Sequence, residues 1–227
     1  MSPLIQGCLA ELIGTFYLCF IGAGSICINA FLPAGEKIGL VGIALAHGLA
    51  LSVGVSATMN ISGGQLNPAV SVALFVTRKI DAARMGAFIV SQLVGALAAG
   101  LLLRTMFPGY LGEPTYLGVP GLSSKVGPGS AVCIEAVLTF LLVFSIFGTA
   151  IDPRAPKIGG FGIGLTVAFD ILVGGPLTGA AMNPARHLGI ALAAGRLENS
   201  WIYWVGPILG GTVAALLYQR FLLPREK

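Results

Sequence analysis

Charge is what this sequence has least of. Asp, Glu, Lys and Arg make up 10% of its 227 residues, where a soluble domain carries about 25%. Hydrophobic residues make up 56% and the mean hydropathy is +0.90, so one water-soluble core has too little polar surface to cover it. The net charge of +4 is too small and too scattered for a nucleic-acid partner. Histidine occurs only twice and cysteine four times, with no metal-ligand spacing. Cys8, Cys19, Cys27 and Cys133 form no disulfide framework and read as small packing residues in helices. There is no nucleophile–base pair and no phosphate-binding loop, which argues against an enzyme and implies no cofactor. The N-terminus lacks a basic stretch and no cleavage site follows the first apolar run, so that run is a retained span.

What is present in excess is apolar sequence in helix-sized pieces. At about 20 residues per spanning helix, spans are expected near 8–28, 38–59, 85–103, 131–151, 158–173 and 201–223. The 33 glycines suit close helix packing in lipid. Between Lys37 and Arg78 lie forty residues without a formal charge, too many for one span and too few for two. They divide into a span, a polar stretch 60–65 and an apolar piece 66–77. That piece and a second, 182–194, have the length of re-entrant segments.

Both short pieces open alike, on Asn67-Pro68-Ala69 and on Asn183-Pro184-Ala185. Asn is a favoured helix N-cap and Pro is favoured at the first helical position, where its missing N–H is not needed. The chain is also an internal duplication. Glu11, Thr15, Phe16, Leu18 and Phe20 match Glu135, Thr139, Phe140, Leu142 and Phe144 in order. With three spans per copy, the second copy must enter the membrane from the opposite side. Inverted repeats with broken helices place their site near the midplane. The expected fold is therefore all-α membrane: six transmembrane helices plus two re-entrant half-helices, in one domain, 1–227. Repeat one covers about 1–106 and repeat two about 130–223, joined by an outer, Pro- and Gly-rich linker 107–129.

Basic residues orient this arrangement. With the N-terminus inside, Arg78, Lys79, Arg84, Arg154, Lys157, Arg220, Arg225 and Lys227 are inner, against Lys37, Arg104, Lys125 and Arg196 outer. That bias expects both termini in the cytoplasm; the compact chain fits a cell inner membrane, and an organelle membrane equally well. Polar groups at membrane depth need a reason. The loops before Asn67 and Asn183 would line a pore with carbonyl acceptors, the two Asn amides would supply donors at its centre, and both half-helix N-termini would repel cations. Glu11 and Glu135, at matching positions, are expected to accept hydrogen bonds from the loop backbones. Asp170, near the end of the fifth span, is read as a further structural acceptor.

Paired Asn-Pro-Ala half-helices in an inverted three-span duplication resemble the aquaporin (major intrinsic protein) family over nearly the whole chain. Tyr203-Trp204 resembles the aromatic pair of its water-type members, whereas His187 departs from the small residue usual after Asn-Pro-Ala-Arg. The resemblance implies an outer constriction of His47, Ile171, Ala180 and Arg186, counted from the two Asn residues. A His and an Ile in the first two places are similar to the plant tonoplast intrinsic proteins and to the vertebrate group permeable to ammonia and peroxide. Such a ring is wide and little hydrogen-bonded, His47 offers it one polar edge, and Arg186 rejects cations. The implied function is passive conduction of water and small neutral solutes, by a homotetramer in membrane lipid with one pore per subunit. A secondary transporter on inverted repeats, a water-only channel and a closed junctional protein are the competing readings. Ion-gradient coupling, solute range and total impermeability respectively separate them.

Overall fold

In a membrane core, backbone N–H and C=O groups have no water to bond, so each spanning segment satisfies them internally as helix. The computed structural model describes residues 1–111 and 115–224, and within them six helices are long and apolar enough to span a membrane. These are α1 (Pro3–Phe31), α2 (Gly39–Thr58), α4 (Ala82–Met106), α5 (Pro128–Ile146), α6 (Phe161–Thr178) and α8 (Ile202–Leu217). Helices α5 and α8 each end in a π-helical turn, Phe147–Ile151 and Tyr218–Leu222. Two half-length helices, α3 (Pro68–Val76) and α7 (Pro184–Ala194), start at the two Asn-Pro-Ala sequences. Among the described residues there is no strand. Arg225 and Lys227, expected on the inner side, and residues 112–114 of the linker lie outside the described residues.

The fifth span differs from its expected extent. It begins at Phe161 and runs through Pro176 to Thr178, ending on left-handed Gly179, five residues beyond the expected stop. A proline forfeits one helical hydrogen bond, which neighbouring helices in a membrane bundle tolerate. Asp170 thus sits in mid-helix, and its buried Oδ2 has no hydrogen-bond partner, so that oxygen is not the structural acceptor expected.

Helices α1 and α4 pack together, as do α2 and α6, and α5 and α8. Each half-helix rests mainly on the last span of the other half of the chain: α3 on α8, and α7 on α4. Lipid supplies no hydrophobic drive between helices, so these contacts rely on close approach of small residues. At the α5–α8 crossing, a Cβ on Gly210 would strike the carbonyl of Ala136, so only glycine allows this spacing. Outward faces carry large apolar side chains, with Val41, Val90, Val137, Phe169 and Val173 all more than half exposed. Glu11, Thr15, Gln92, Glu135 and Thr139 are fully buried. Polar inside and apolar outside is the arrangement a lipid solvent demands.

One ion pair ties two helix ends together. Arg154 donates to Asp152 through Nε at 2.9 Å and Nη2 at 2.6 Å, and to the Leu222 carbonyl at 2.8 Å. The Tyr218 hydroxyl donates to Asp152 Oδ2 at 3.2 Å. The guanidinium beside it holds the Asp152 carboxyl well below the usual carboxylate range.

Candidate functional site

The two half-helices begin where their sequences require. Asn67 Oδ1 accepts from Ala69 N at 2.9 Å. Asn183 Oδ1 accepts from Ala185 N at 3.0 Å and Arg186 N at 3.1 Å. Pro68 and Pro184 occupy the first helical position. With the side-chain oxygens committed to capping, the amide nitrogens face away from the helices. Asn67 Nδ2 donates to the Met182 carbonyl at 2.9 Å, and Asn183 Nδ2 to the Leu66 carbonyl at 2.8 Å. The two helix starts are thereby joined across the middle of the molecule.

The loops before them share one construction. Gln65 N and Leu66 N donate to the Glu11 carboxylate at 2.9 and 2.6 Å. Ala181 N and Met182 N donate to Glu135 at 3.0 and 2.8 Å. Each glutamate also accepts a hydroxyl five residues before the Asn, from Ser62 at 2.6 Å and from Thr178 at 2.7 Å. Two consecutive N–H groups converging on one anion form a backbone nest. The turn is left-handed at Gly64, Leu66, Ala180 and Met182, with φ of 59°, 52°, 44° and 52°. Left-handed backbone costs a non-glycine residue roughly 1–2 kcal/mol, a cost offset here by the buried carboxylates. Nothing in the residue types Leu66 and Met182 signals this conformation.

A narrow cavity with an empty volume of about 480 Å³ runs between these loops and the spans. Asn67 and Asn183 line it, together with His47, Ile171, Ala180 and Arg186. Past Gln65 and Gly64 it meets a wider vestibule with an empty volume of about 1020 Å³, bordered by Lys79 and Arg84.

Of the four residues expected at the outer constriction, all of which line the cavity, Arg186 is 3% exposed. Its Nη1 donates to the Gly118 carbonyl at 2.8 Å, and its Nη2 lies 3.1 Å from His47 Nε2. Among the described residues no carboxylate pairs with it; the ion pairs there are Arg154–Asp152 and Arg196–Glu198. His47 Nδ1 lies 2.9 Å from the Ile43 carbonyl. A carbonyl only accepts, so Nδ1 carries the hydrogen and Nε2 is left to accept from Arg186. Both ring nitrogens are then engaged, and the free polar edge expected of His47 is used to orient the guanidinium. Room for the ring comes from Gly22 of α1, whose Cβ would collide with it. Ile171 and Ala180 line the same cavity without a side-chain donor or acceptor.

One participant had no motif to announce it, and two residues singled out by resemblance sit beside the passage. Gly118 lies in the linker, 68 residues from the arginine it holds. Tyr203, fully buried, donates to the Thr178 carbonyl at 2.7 Å. His187 does not line the cavity. It stacks on Tyr203, with ring centroids 4.0 Å apart, and its Nε2 meets Ser200 Oγ at 2.9 Å. Its Nδ1 faces the backbone of Pro120, short of hydrogen-bond geometry.

Comparison with known proteins agrees with this geometry. The profile described as Major intrinsic protein matches residues 1–218. The chain is 42% identical over 221 residues to "Aquaporin TIP4-4" of Zea mays, covering 95% of this chain and 86% of that protein. It is 43% identical to "Probable aquaporin TIP3-2" of Arabidopsis thaliana, with coverage of 97% and 85%. In fold it is similar to the aquaglyceroporin of Plasmodium falciparum, with a TM-score of 0.84 at 24% identity over 96% of this chain and 97% of that one. The chain belongs to the major intrinsic protein family, whose members are passive membrane channels for water and small solutes and not enzymes.

Proposed function

We propose that the lumen conducts water, ammonia and hydrogen peroxide, with urea the largest solute admitted, and rejects ions and protons. The observation that carries this reading is the composition of the ring. Ile171 and Ala180 offer no hydrogen bond, so a solute is not selected for water's own bonding pattern. Arg186 holds an unneutralised charge against the passage. A neutral solute with a lone pair can accept from the guanidinium, whereas ammonium has no lone pair and is repelled. Asn67 and Asn183 supply donors midway, between the positive ends of two half-helices. Coupled transport is disfavoured, because Glu11 and Glu135 are committed to loop donors and neither lines the cavity.

The matched loop contacts support reading 1–106 and 130–223 as inverted repeats in one channel domain. The apolar belt supports a lipid-embedded subunit, and the charge bias supports cytoplasmic termini. The homotetramer implied by the resemblance completes the proposal, each subunit keeping its own lumen. Stopped-flow permeability in proteoliposomes tests the solute range, with water, ammonia, peroxide, urea and glycerol compared on one preparation. Fast water, ammonia and peroxide with little glycerol is expected. His47→Phe, which leaves Arg186 without its ring acceptor and fills the passage, should slow ammonia and peroxide more than water. Water conduction alone in the unaltered protein would overturn the wide-ring reading.

A further inference from the structure

Gln65 lines both the narrow cavity and the inner vestibule, and the matched position two residues before Asn183 is Ala181. The inner end of the passage thus has a polar side chain that the other half of the chain does not repeat. Which way its amide faces decides what a passing molecule meets there.

A chain of hydrogen bonds settles the orientation. An ionised carboxylate only accepts, so the Gln92 amide must turn its nitrogen to Glu11, where Nε2 lies 2.7 Å from Oε2. That same nitrogen lies 3.0 Å from Ser71 Oγ and donates to it. Gln92 Oε1 is left buried without a partner, a cost accepted because the flipped amide would set oxygen against the carboxylate. The Ser71 hydroxyl has two acceptors in reach, Gln65 Oε1 at 2.6 Å and the Asn67 carbonyl at 3.3 Å; 2.6 Å is the length of an O–H···O bond and too short for N–H···O, so the hydroxyl donates to Gln65 and meets its oxygen. The oxygen of Gln65 is therefore held in the wall. Among the described residues its Nε2 makes no hydrogen bond, yet it is not one of the fully buried polar atoms left without a partner, so it is the group open to the two cavities that Gln65 lines.

We propose that Gln65 is a further selectivity residue of the channel: a donor-only station at the inner end of the lumen, oriented by the relay Glu11–Gln92–Ser71, that admits molecules presenting a lone pair and opposes ammonium. Ser71 and Gln92 are positioning residues in this scheme. The station stands on the inner side of the Asn pair, so ammonium approaching from the vestibule meets it before Arg186. The inference rests on the neutral-solute reading above.

The test is Gln65→Glu in proteoliposomes, with water permeability, ammonium current and choline current measured on each preparation. A carboxylate keeps the bond from Ser71 and turns an acceptor toward the lumen, so ammonium current should rise about tenfold while choline stays excluded and water flux holds within about twofold. Ser71→Ala releases the Gln65 amide and should raise ammonium current in the same direction, while Ser71→Thr, which keeps the hydroxyl, should not. Normal water flux with unchanged ammonium exclusion in both Gln65→Glu and Ser71→Ala overturns the proposal, as does a leak that passes choline equally. Should Gln65→Glu not fold, the Ser71 pair decides alone. Absence of water flux in the unaltered protein instead overturns the channel reading on which the proposal stands.

Discussion

Replacing Glu135 by Gln keeps the side chain's length but removes part of its accepting capacity, and the bonds it makes determine the damage. Oε1 accepts Thr178 Oγ1 at 2.7 Å and Ala181 N at 3.0 Å, while Oε2 accepts Met182 N at 2.8 Å. In one amide orientation the new nitrogen faces the Met182 N–H, and in the other it faces Ala181 N–H; either way two donors oppose each other. One buried N–H left unsatisfied costs about 1–3 kcal/mol, and the remaining bonds lose their charge assistance, for a total of about 2–5 kcal/mol. The loss falls on the loop that carries Ala180, Met182 and Asn183, all lining the passage. Equilibrium unfolding in detergent should show the destabilisation, and water flux in proteoliposomes should fall in the same variant. Glu135→Leu, which orphans both N–H groups, should be worse than Gln. A Gln variant within about 0.5 kcal/mol of the parent, with unchanged flux, would refute the idea that the carboxylate holds the loop.

Other perturbations reach separate parts of the molecule. Arg186→Ala removes a charge that opposes a cation 4 Å away by about 4 kcal/mol at an effective dielectric of about 20, so cation conductance should rise by up to roughly three orders of magnitude with water flux retained; bilayer recordings that stay silent would remove Arg186 from the barrier. Gly210→Ala sets a methyl against the Ala136 carbonyl and should part α5 from α8, lowering thermal stability by about 1–3 kcal/mol; an unchanged melting temperature would mean the crossing has slack. The Asp152 carboxyl is depressed by Arg154, so its contribution is fully present above the ordinary carboxylate value and is lost as pH falls below it. Melting temperatures of the parent and Asp152→Asn should therefore differ at neutral pH and converge in acid.

What could be read from sequence was whatever is encoded locally or twice. Asn-Pro-Ala marks a helix start by its own chemistry, and its recurrence before two half-length apolar runs located α3 and α7 within two residues. The repeated Glu-x-x-x-Thr-Phe window pointed to Glu11 and Glu135 because buried carboxylates need donors. Contacts made by distant backbone were not legible. No residue pattern points from Gly118 to Arg186, and Leu66 and Met182 carry ordinary side chains in a left-handed backbone imposed by the nests. The fifth helix outruns its expected end, continuing through Pro176 to Thr178, because a helical bond forfeited to proline is tolerated inside a membrane bundle. Counting from the Asn pair picked out His47, Ile171, Ala180 and Arg186, and all four line the cavity. What counting could not supply was that His47 spends both nitrogens on its neighbours.

The crossed seating of the half-helices bears on how the molecule is made. While the ribosome is still adding the second half, α3 has no α8 to lie on, and the Leu66 carbonyl has no Asn183 to meet it. The newborn first half is equally unable to seat α7 before it exists, though α4 waits for it. Neither half therefore completes a transmembrane passage alone, and an interrupted or truncated chain leaves no finished hole in its membrane. Opening the path is deferred to the moment when both halves close on each other, so the barrier function of the bilayer is guarded throughout synthesis by the order in which the pieces arrive.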